Sequence, residues 1–197
     1  IHSSELSDIQ SVVDKIEGKL PYPIFIKPAN AGSSQGISKA HTKDELIDGL
    51  KYASEHDKKI LIEEAISGRE LECAILGAKT PIASGVGEII SASEFYDYDA
   101  KYNNDQSLEI ISPELPDGIE QKIRDYALKI STAVDGHSLA RVDFFLENET
   151  NEIVFNEINT LPGFTSISMY PMLWEAKGIS KTQLIEKLIQ SGLRRFE

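Results

Sequence analysis

Residues 140–159 read ARVDFFLENETNEIVFNEIN, two apolar runs separated by the polar turn Asn148–Asn151. Ala140 to Glu147 and Glu152 to Asn159 each have strand length and aromatic or β-branched content, and so short a connection implies an antiparallel hairpin. Strand side chains alternate between faces. Arg141 and Asp143 therefore point one way, and Val142, Phe144 and Leu146 the other. By the same rule Glu157 and Asn159 share a face. If the strands pair across the turn, Asp143, Glu157 and Asn159 converge. Two carboxylates and an amide oxygen form a hard-oxygen set suited to Mg²⁺ carried with substrate phosphates. Arg141 beside them is placed to neutralise charge developing on a phosphoryl group or an oxyanion. The rival reading is a solvated polar face of an antiparallel sheet, and residue types alone leave the two evenly matched.

Outward from this hairpin the chain alternates strands and separate helices. Glu5 to Ile16 is amphipathic, and Pro21-Tyr22-Pro23 stops it. Ile24 to Lys27 reads as a short buried strand, with a second strand returning over Ile37 to Ala40. Thr42 with Glu45 reads as a capping box ahead of a helix whose apolar face is Leu46, Leu50 and Ala53. Further strands are predicted over Lys59–Glu63, around Leu71, Cys73 and Ile75, and over Pro81–Ile89. Residues 91–112, rich in Tyr, Asp and Asn, carry no regular pattern, and a loop that long inside a compact chain is usually functional or disordered. Gly118 to Val134 has helical spacing at Ile119, Ile123, Tyr126, Ile130 and Val134, and Met172–Lys177 and Lys181–Gln190 close the chain as helices. Neighbouring strands joined by tight turns predict an α+β fold with largely antiparallel sheet, not a doubly wound one.

The loop KPANAGSSQG over residues 27–36 sets a lysine at a strand end before small, hydroxyl-bearing residues. Its backbone N–H groups and the Ser33 and Ser34 hydroxyls suit phosphate oxygens, with Lys27 supplying charge. The spacing is not that of a Walker A loop, since three residues separate Gly32 from Gly36 and isoleucine follows. The same loop contains G-x-S-x-G centred on Ser34. A nucleophile elbow requires a helix directly after that serine, whereas Ile37–Ala40 is β-like, so an ordinary Gly/Ser turn is the stronger reading.

Composition closes other doors. The 197 residues hold 20 Lys+Arg against 32 Asp+Glu, a net charge of −12, with 41% hydrophobic and 26% charged residues, as in ordinary globular domains. The acid excess argues against nucleic acid as a partner. No apolar run approaches the roughly 20 residues of a membrane helix. Cys73 is the sole cysteine, which excludes a disulfide framework, fits a reducing cytoplasm, and reads as core because it lies on the apolar side of its strand. The chain opens at Ile1 without Met, almost at once into an amphipathic stretch, and so reads as a piece of a longer polypeptide.

Taken in order, five stretches resemble the D-alanine–D-alanine ligases of the ATP-grasp superfamily. They are Ile26-Lys27-Pro28 through Gly32 to Lys39, Glu63 to Glu70, Glu94 to Tyr102, Arg141 to Phe145, and Asn156 to Thr165. The resemblance implies an ATP-grasp fold of two α/β subdomains with mainly antiparallel sheets and nucleotide between them. Residues 1–68 would be the remainder of the central subdomain, and residues 69–197 the C-terminal subdomain with a Mg²⁺ site and a lid over residues 91–112. It implies Lys27 and Lys101 as phosphate-binding lysines, with Ser34 in the loop closing over ATP. Glu63 and Ile66 would form the adenine hinge, Glu70 would hold the ribose, and Phe95 would pack on the adenine ring. Asp143, Glu157 and Asn159 match the Mg²⁺ (or Mn²⁺) ligands. Arg141 and the Gly163 N–H resemble the groups that stabilise a tetrahedral intermediate. Ser33, Tyr102 and Ser168 match positions lining D-amino-acid subsites, with Met169 near the second.

The activity the resemblance implies is ATP-dependent joining of two D-alanines through an acyl phosphate, for peptidoglycan synthesis, by a cytoplasmic protein that is commonly a homodimer. Lys101-Tyr102 resembles the D-alanine-using type. Relatives that join D-alanine to D-serine or D-lactate, another carboxylate–amine ligase, and a non-catalytic nucleotide-binding domain remain as alternatives. Family members carry an N-terminal domain with an acid for the first D-alanine's amine and a further ATP lysine, neither present among these residues. The 197-residue chain alone is therefore expected to bind Mg-ATP weakly or not at all and to make no dipeptide. Phosphate release that depends on D-alanine, measured with the isolated chain, would contradict that expectation.

Overall fold

The computed structural model of the chain describes residues 1–32, 34–90 and 108–196. These fall into two compact units, one gathering Ile1–Ile66 and the other Ser67–Ile90 with the chain from Leu108 onward. Among the described residues no helix is long and apolar enough to cross a membrane.

The first unit runs through a 3-10 turn (Ser3–Asp8), α1 (Ile9–Glu17), β1 (Ile24–Pro28), β2 (Ser38–Ala40), α2 (Lys43–His56) and β3 (Ile60–Glu64). The amphipathic stretch at the N-terminus is thus split. The Asp8 carboxylate accepts from the Ser11 amide at 3.3 Å and begins α1 afresh, burying Val12, Val13 and Ile16. The strands form an antiparallel sheet in the order β2-β1-β3. Ile24 and Ile26 of β1 enter a core with Val13, Leu46, Leu50, Ala53 and Ile60, so alternation leaves Phe25 and Lys27 on the opposite face. The helix signal at Thr42 is half of what the sequence suggests. The Thr42 hydroxyl accepts from the Glu45 amide at 3.3 Å, but the Glu45 carboxylate accepts from the His41 amide, at 2.7 Å, one residue before the cap.

The second unit is a five-stranded antiparallel sheet in the order β6-β5-β4-β7-β8. Its strands are β4 (Gly68–Leu76), β5 (Ile82–Ile90), β6 (Leu108–Ile111), β7 (Leu139–Glu147) and β8 (Ile153–Asn159). The end of the stretch read as patternless loop, Leu108–Ile111, is therefore a strand, paired to Gly87–Ile90. One sheet face is apolar. Leu71, Cys73 and Ile75 of β4 and Val142, Phe144 and Leu146 of β7 bury against Ile119, Ile123 and Ala127 of α3 (Ile119–Ala133). Each of the Leu, Ile, Val and Phe side chains contributes about 1.5–3 kcal/mol relative to exposure. The β5 side of the other face is covered by α4 (Met169–Ala176), whose Tyr170 hydroxyl donates to the Ile75 carbonyl at 3.1 Å. Gly87 leaves room there for Met169, whose sulfur occupies the place a Cβ would take. The last helix, α5 (Lys181–Leu193), starts from a capping box at Ser180 and Gln183.

Cys73 is fully buried among these apolar residues, as its place on the strand predicts. Burial pushes its thiol up to about 12 from an ordinary value of 9.0. The native state thus keeps a proton that the unfolded chain releases, so stability is complete below about pH 9 and falls as pH rises above it. Tyr22 and Tyr170 are raised too, but from an ordinary value of 10.0, so their effects begin later. Urea unfolding is expected to show a midpoint that drops between about pH 9 and 10, with a shallower drop in Cys73→Ala. Equal slopes for the two proteins would refute the assignment.

Candidate functional site

Three strands of the second unit meet in one line. Glu72 of β4 faces Asp143 of β7, and Asp143 faces Glu157 of β8. Two positions along, Ala74, Arg141 and Asn159 stand opposite one another in the same way. The convergence depends on a β-bulge. Close to the turn, Leu146 faces Ile153 and Phe144 faces Phe155, yet Asp143 faces Glu157, leaving Asn156 as the extra residue. Phe155 thereby lies against Phe144 on the α3 side, ring centroids 6.3 Å apart, while Glu157 swings to the Asp143 side.

Arg141 holds this face together. Its Nε donates to Asp143 Oδ1 at 2.8 Å and its Nη2 to Asp143 Oδ2 at 2.7 Å, a bidentate pair. Glu72 Oε2 approaches the same Nε at 3.2 Å, and the Arg141, Asp143 and Glu72 side chains are only 17%, 12% and 11% exposed. Burial works against the guanidinium charge. The Asp143 carboxylate, with Glu72 and Glu157 behind it, overturns that penalty and raises the arginine pKa above its ordinary value.

The remaining predicted residues of this unit lie on either side of the line. Glu70 precedes Glu72 by two on β4 and so shares its face, opposite Phe145 and Ile89. Beyond β8, Asn159 Oδ1 accepts from the Leu161 amide at 3.2 Å and turns the chain. Ser168 Oγ accepts from the Thr165 amide at 2.9 Å, and a Cβ on Gly163 would come within 2.9 Å of that same Oγ, so Gly163 and Ser168 share one tight turn. Met169, the next residue, is buried against Gly87. Among the described residues no three His, Cys, Asp or Glu side chains gather as a ready metal site. The donor chemistry of Asp143, Glu157 and Asn159 nonetheless fits Mg²⁺: all are hard oxygens, and the bulge puts them on one face of two paired strands.

In the first unit Lys27 Nζ lies 2.6 Å from Glu63 Oε2. Glu63 stands opposite Phe25, whose ring has Lys39 Nζ 5.8 Å from its centroid. Ser34 and Gly36 take φ of 57° and 75°, and β2 follows, with no helix before Lys43. The G-x-S-x-G run is therefore a turn and not a nucleophile elbow. A Cβ on Gly36 would meet the His56 ring at 2.7 Å, so glycine lets this turn lie close on α2. Ile66 follows β3 in an irregular segment that begins with the Ala65 amide bonded to the Pro23 carbonyl at 3.2 Å. Ser33, Phe95, Lys101 and Tyr102, with the predicted lid up to residue 107, lie outside the described residues.

Two contributors escape a reading by motif. Alternation puts Glu72 on the Glu70 face, but only register shows that it meets Asp143. Asn156, the bulge residue, is marked in the sequence merely by its low strand propensity.

Known proteins are similar to this chain. The family model described as D-ala D-ala ligase C-terminus matches residues 1–190. The D-alanine--D-alanine ligase of Acetivibrio thermocellus is 58% identical over 189 residues, covering 96% of this chain and 50% of that protein. That of Ruminiclostridium cellulolyticum is 50% identical over 191 residues, with 96% and 51% covered. The chain thus spans about half the length of the curated relatives it matches. Among solved structures, the VanG D-Ala:D-Ser ligase from Enterococcus faecalis is 40% identical, with a TM-score of 0.81 over 93% of this chain and 53% of that one. The D-alanine--D-alanine ligase from Bacillus anthracis complexed with ATP is 31% identical, with a TM-score of 0.72 over 93% and 56%.

Removing the guanidinium would leave buried carboxylates facing each other without a counter-ion. Arg141→Met is expected to lower stability by about 3 kcal/mol in urea unfolding, as breaking a buried ion pair from one side does. A loss under 1 kcal/mol would show that the pair is solvated like a surface one.

Proposed function

We propose a function on one premise: the chain belongs to the family of D-ala D-ala ligase C-terminal domains. The full-length protein that carries it joins two D-alanines at the expense of ATP, in the cytoplasm, for the peptide of the cell wall. The carboxylate of one D-alanine attacks the γ-phosphate, giving an acyl phosphate and ADP, and the amine of the second then displaces phosphate. Phosphoryl transfer asks the protein mainly for positioning and charge. Such chemistry fits a chain whose assigned residues include lysines, acids and an arginine, with its only cysteine sealed in the core.

Lys27, Ser34 and Lys101 are assigned to the ATP phosphates, Glu63, Ile66 and Phe95 to the adenine, and Glu70 to the ribose. Asp143, Glu157 and Asn159 would hold Mg²⁺, or Mn²⁺, which when bound neutralises phosphate charge. Arg141 and the Gly163 N–H are assigned to the developing oxyanion, and Ser33, Tyr102, Ser168 and Met169 to the D-amino acids. The observation that carries this reading is the line Asp143–Glu157 with Arg141 opposite Asn159, a cation and three oxygen donors on one sheet face. A homodimer is the expected assembly of the full-length protein.

A second reading, D-alanine–D-serine ligation, is favoured by the likeness to the Enterococcus faecalis enzyme of that name. A serine hydroxyl is a small addition to an alanine pocket. Phosphate release by the full-length protein is expected to require ATP, Mg²⁺ and D-alanine, and to fall on the order of 100-fold in Asp143→Asn or Glu157→Gln. With equal D-alanine and D-serine present, D-alanyl-D-alanine should dominate the products; a dominant D-alanyl-D-serine would select the second reading. Unchanged turnover in both variants would sink the assigned site.

A further inference from the structure

Two of the acids around the Arg141 guanidinium touch it unequally. Asp143 takes it with both carboxylate oxygens, at 2.8 and 2.7 Å. Glu72 Oε2 approaches Nε, at 3.2 Å, from the neighbouring strand. Under the function proposed above, Asp143 is also a metal ligand. An oxygen that donates a lone pair to a divalent cation is a poorer acceptor for an N–H. Cation and guanidinium both carry positive charge, so they compete for the same carboxylate and repel one another. Arg141 is mostly buried and sits on a strand, so its backbone cannot retreat, but its long side chain can rotate away from the reacting atoms unless something holds it.

Glu72 is built to hold it. It is buried to 8% exposure, faces Asp143 in strict register, and stands one strand over from Arg141 on the side away from β8. Burying a carboxylate is costly unless a cation compensates, and its ion pair with Arg141 offsets part of that cost here. None of the roles assigned above uses this acid.

We propose that Glu72 is a positioning residue: it anchors the Arg141 guanidinium, through Nε, when the Asp143 carboxylate is taken by the metal, so that the charge stays aimed at the developing oxyanion. The inference rests on the proposed ligase reading, in which Arg141 acts on the reaction and Asp143 on the metal.

The test is a double-mutant cycle in the full-length protein with Glu72→Gln, Arg141→Lys and the pair, each checked for a native unfolding transition. Glutamine keeps the size of Glu72 and removes its charge; lysine keeps the charge at 141 and removes the fork. Glu72→Gln is expected to lower kcat about tenfold with the KM for ATP little changed, and to lower it less than about twofold further in the Arg141→Lys background. Full additivity would overturn the proposal, since a residue that merely supports the sheet costs the same whatever stands at 141. An unchanged kcat in Glu72→Gln, alongside a large loss in Arg141→Lys, would overturn it equally while leaving the ligase reading intact. No loss in Arg141→Lys would instead remove Arg141 from the reaction and overturn the anchor with it, while the ligase activity being measured would stand. Glu72→Asp gives a second measure: an anion restored at shorter reach should recover part of the kcat lost in Glu72→Gln, and no recovery counts against the anchor.

Discussion

One inserted residue decides whether the second unit can have a polar site at all. A hairpin closed by the turn Asn148–Asn151 and left in simple register, as it runs from Leu146–Ile153 to Phe144–Phe155, would bring Glu157 opposite Val142. Val142 is fully buried in the apolar cluster under α3, so that register would drive a carboxylate into the core. The bulge at Asn156 shifts the pairing by one beyond Phe144. Because strand side chains alternate, a shift of one moves every later side chain to the other face. Phe155 stays with the apolar layer, while Glu157 and Asn159 join Asp143 and Arg141. The bulge is therefore what lets one strand serve a core on one side of the sheet and a charged site on the other.

That charged face is stable because its charges are few, close and mutually satisfying. Glu72, Asp143 and Glu157 stand side by side across three strands, where repulsion would be strong in a poorly solvated setting. Arg141 lies against Asp143 and Glu72, and the charge of Glu157 also acts on it. The cover over this face comes from α4 on the β5 side, and it is admitted by the missing side chain of Gly87, where Met169 inserts. Packing and electrostatics are coupled here: a helix held close by apolar contacts lowers local solvation, and lower solvation strengthens the arginine's pairing.

Much of this was legible in the letters. Helical spacing at Ile119 and Ile123 located α3 to within a residue at each end, and alternation put Arg141 with Asp143, and Cys73 in the core. Glycines and turn residues separated antiparallel neighbours, so the fold class followed from local signals. What was not legible is register. Nothing in the run Phe155-Asn156-Glu157 tells a bulge from a continuous strand; the energy that selects it is the avoided burial of Glu157, a tertiary term. The same limit hid Glu72, whose partner lies 69 positions away in sequence but directly across in register with Asp143's strand. Near the N-terminus, Asp8 starts a new helix because a local side-chain cap outweighs continuation of the apolar pattern.

Both groups of polar residues are already satisfied before any ligand arrives, and that fixes the sign of the binding problem. Asp143 gives both oxygens to Arg141, Asn159 gives its carbonyl to the Leu161 amide, and Lys27 sits on Glu63. A ligand at any of these residues makes an exchange and not a pure gain, so its net stabilisation is the difference between two charge-assisted contacts. Neutral ligands lose such an exchange, because a neutral hydrogen bond is roughly half as strong as a charged one. Multiply charged ligands win it, since one phosphate or one divalent cation replaces several partners at once and releases groups that then pair with each other. Under the proposed function, selectivity for highly charged species would follow from the way these side chains pair with one another.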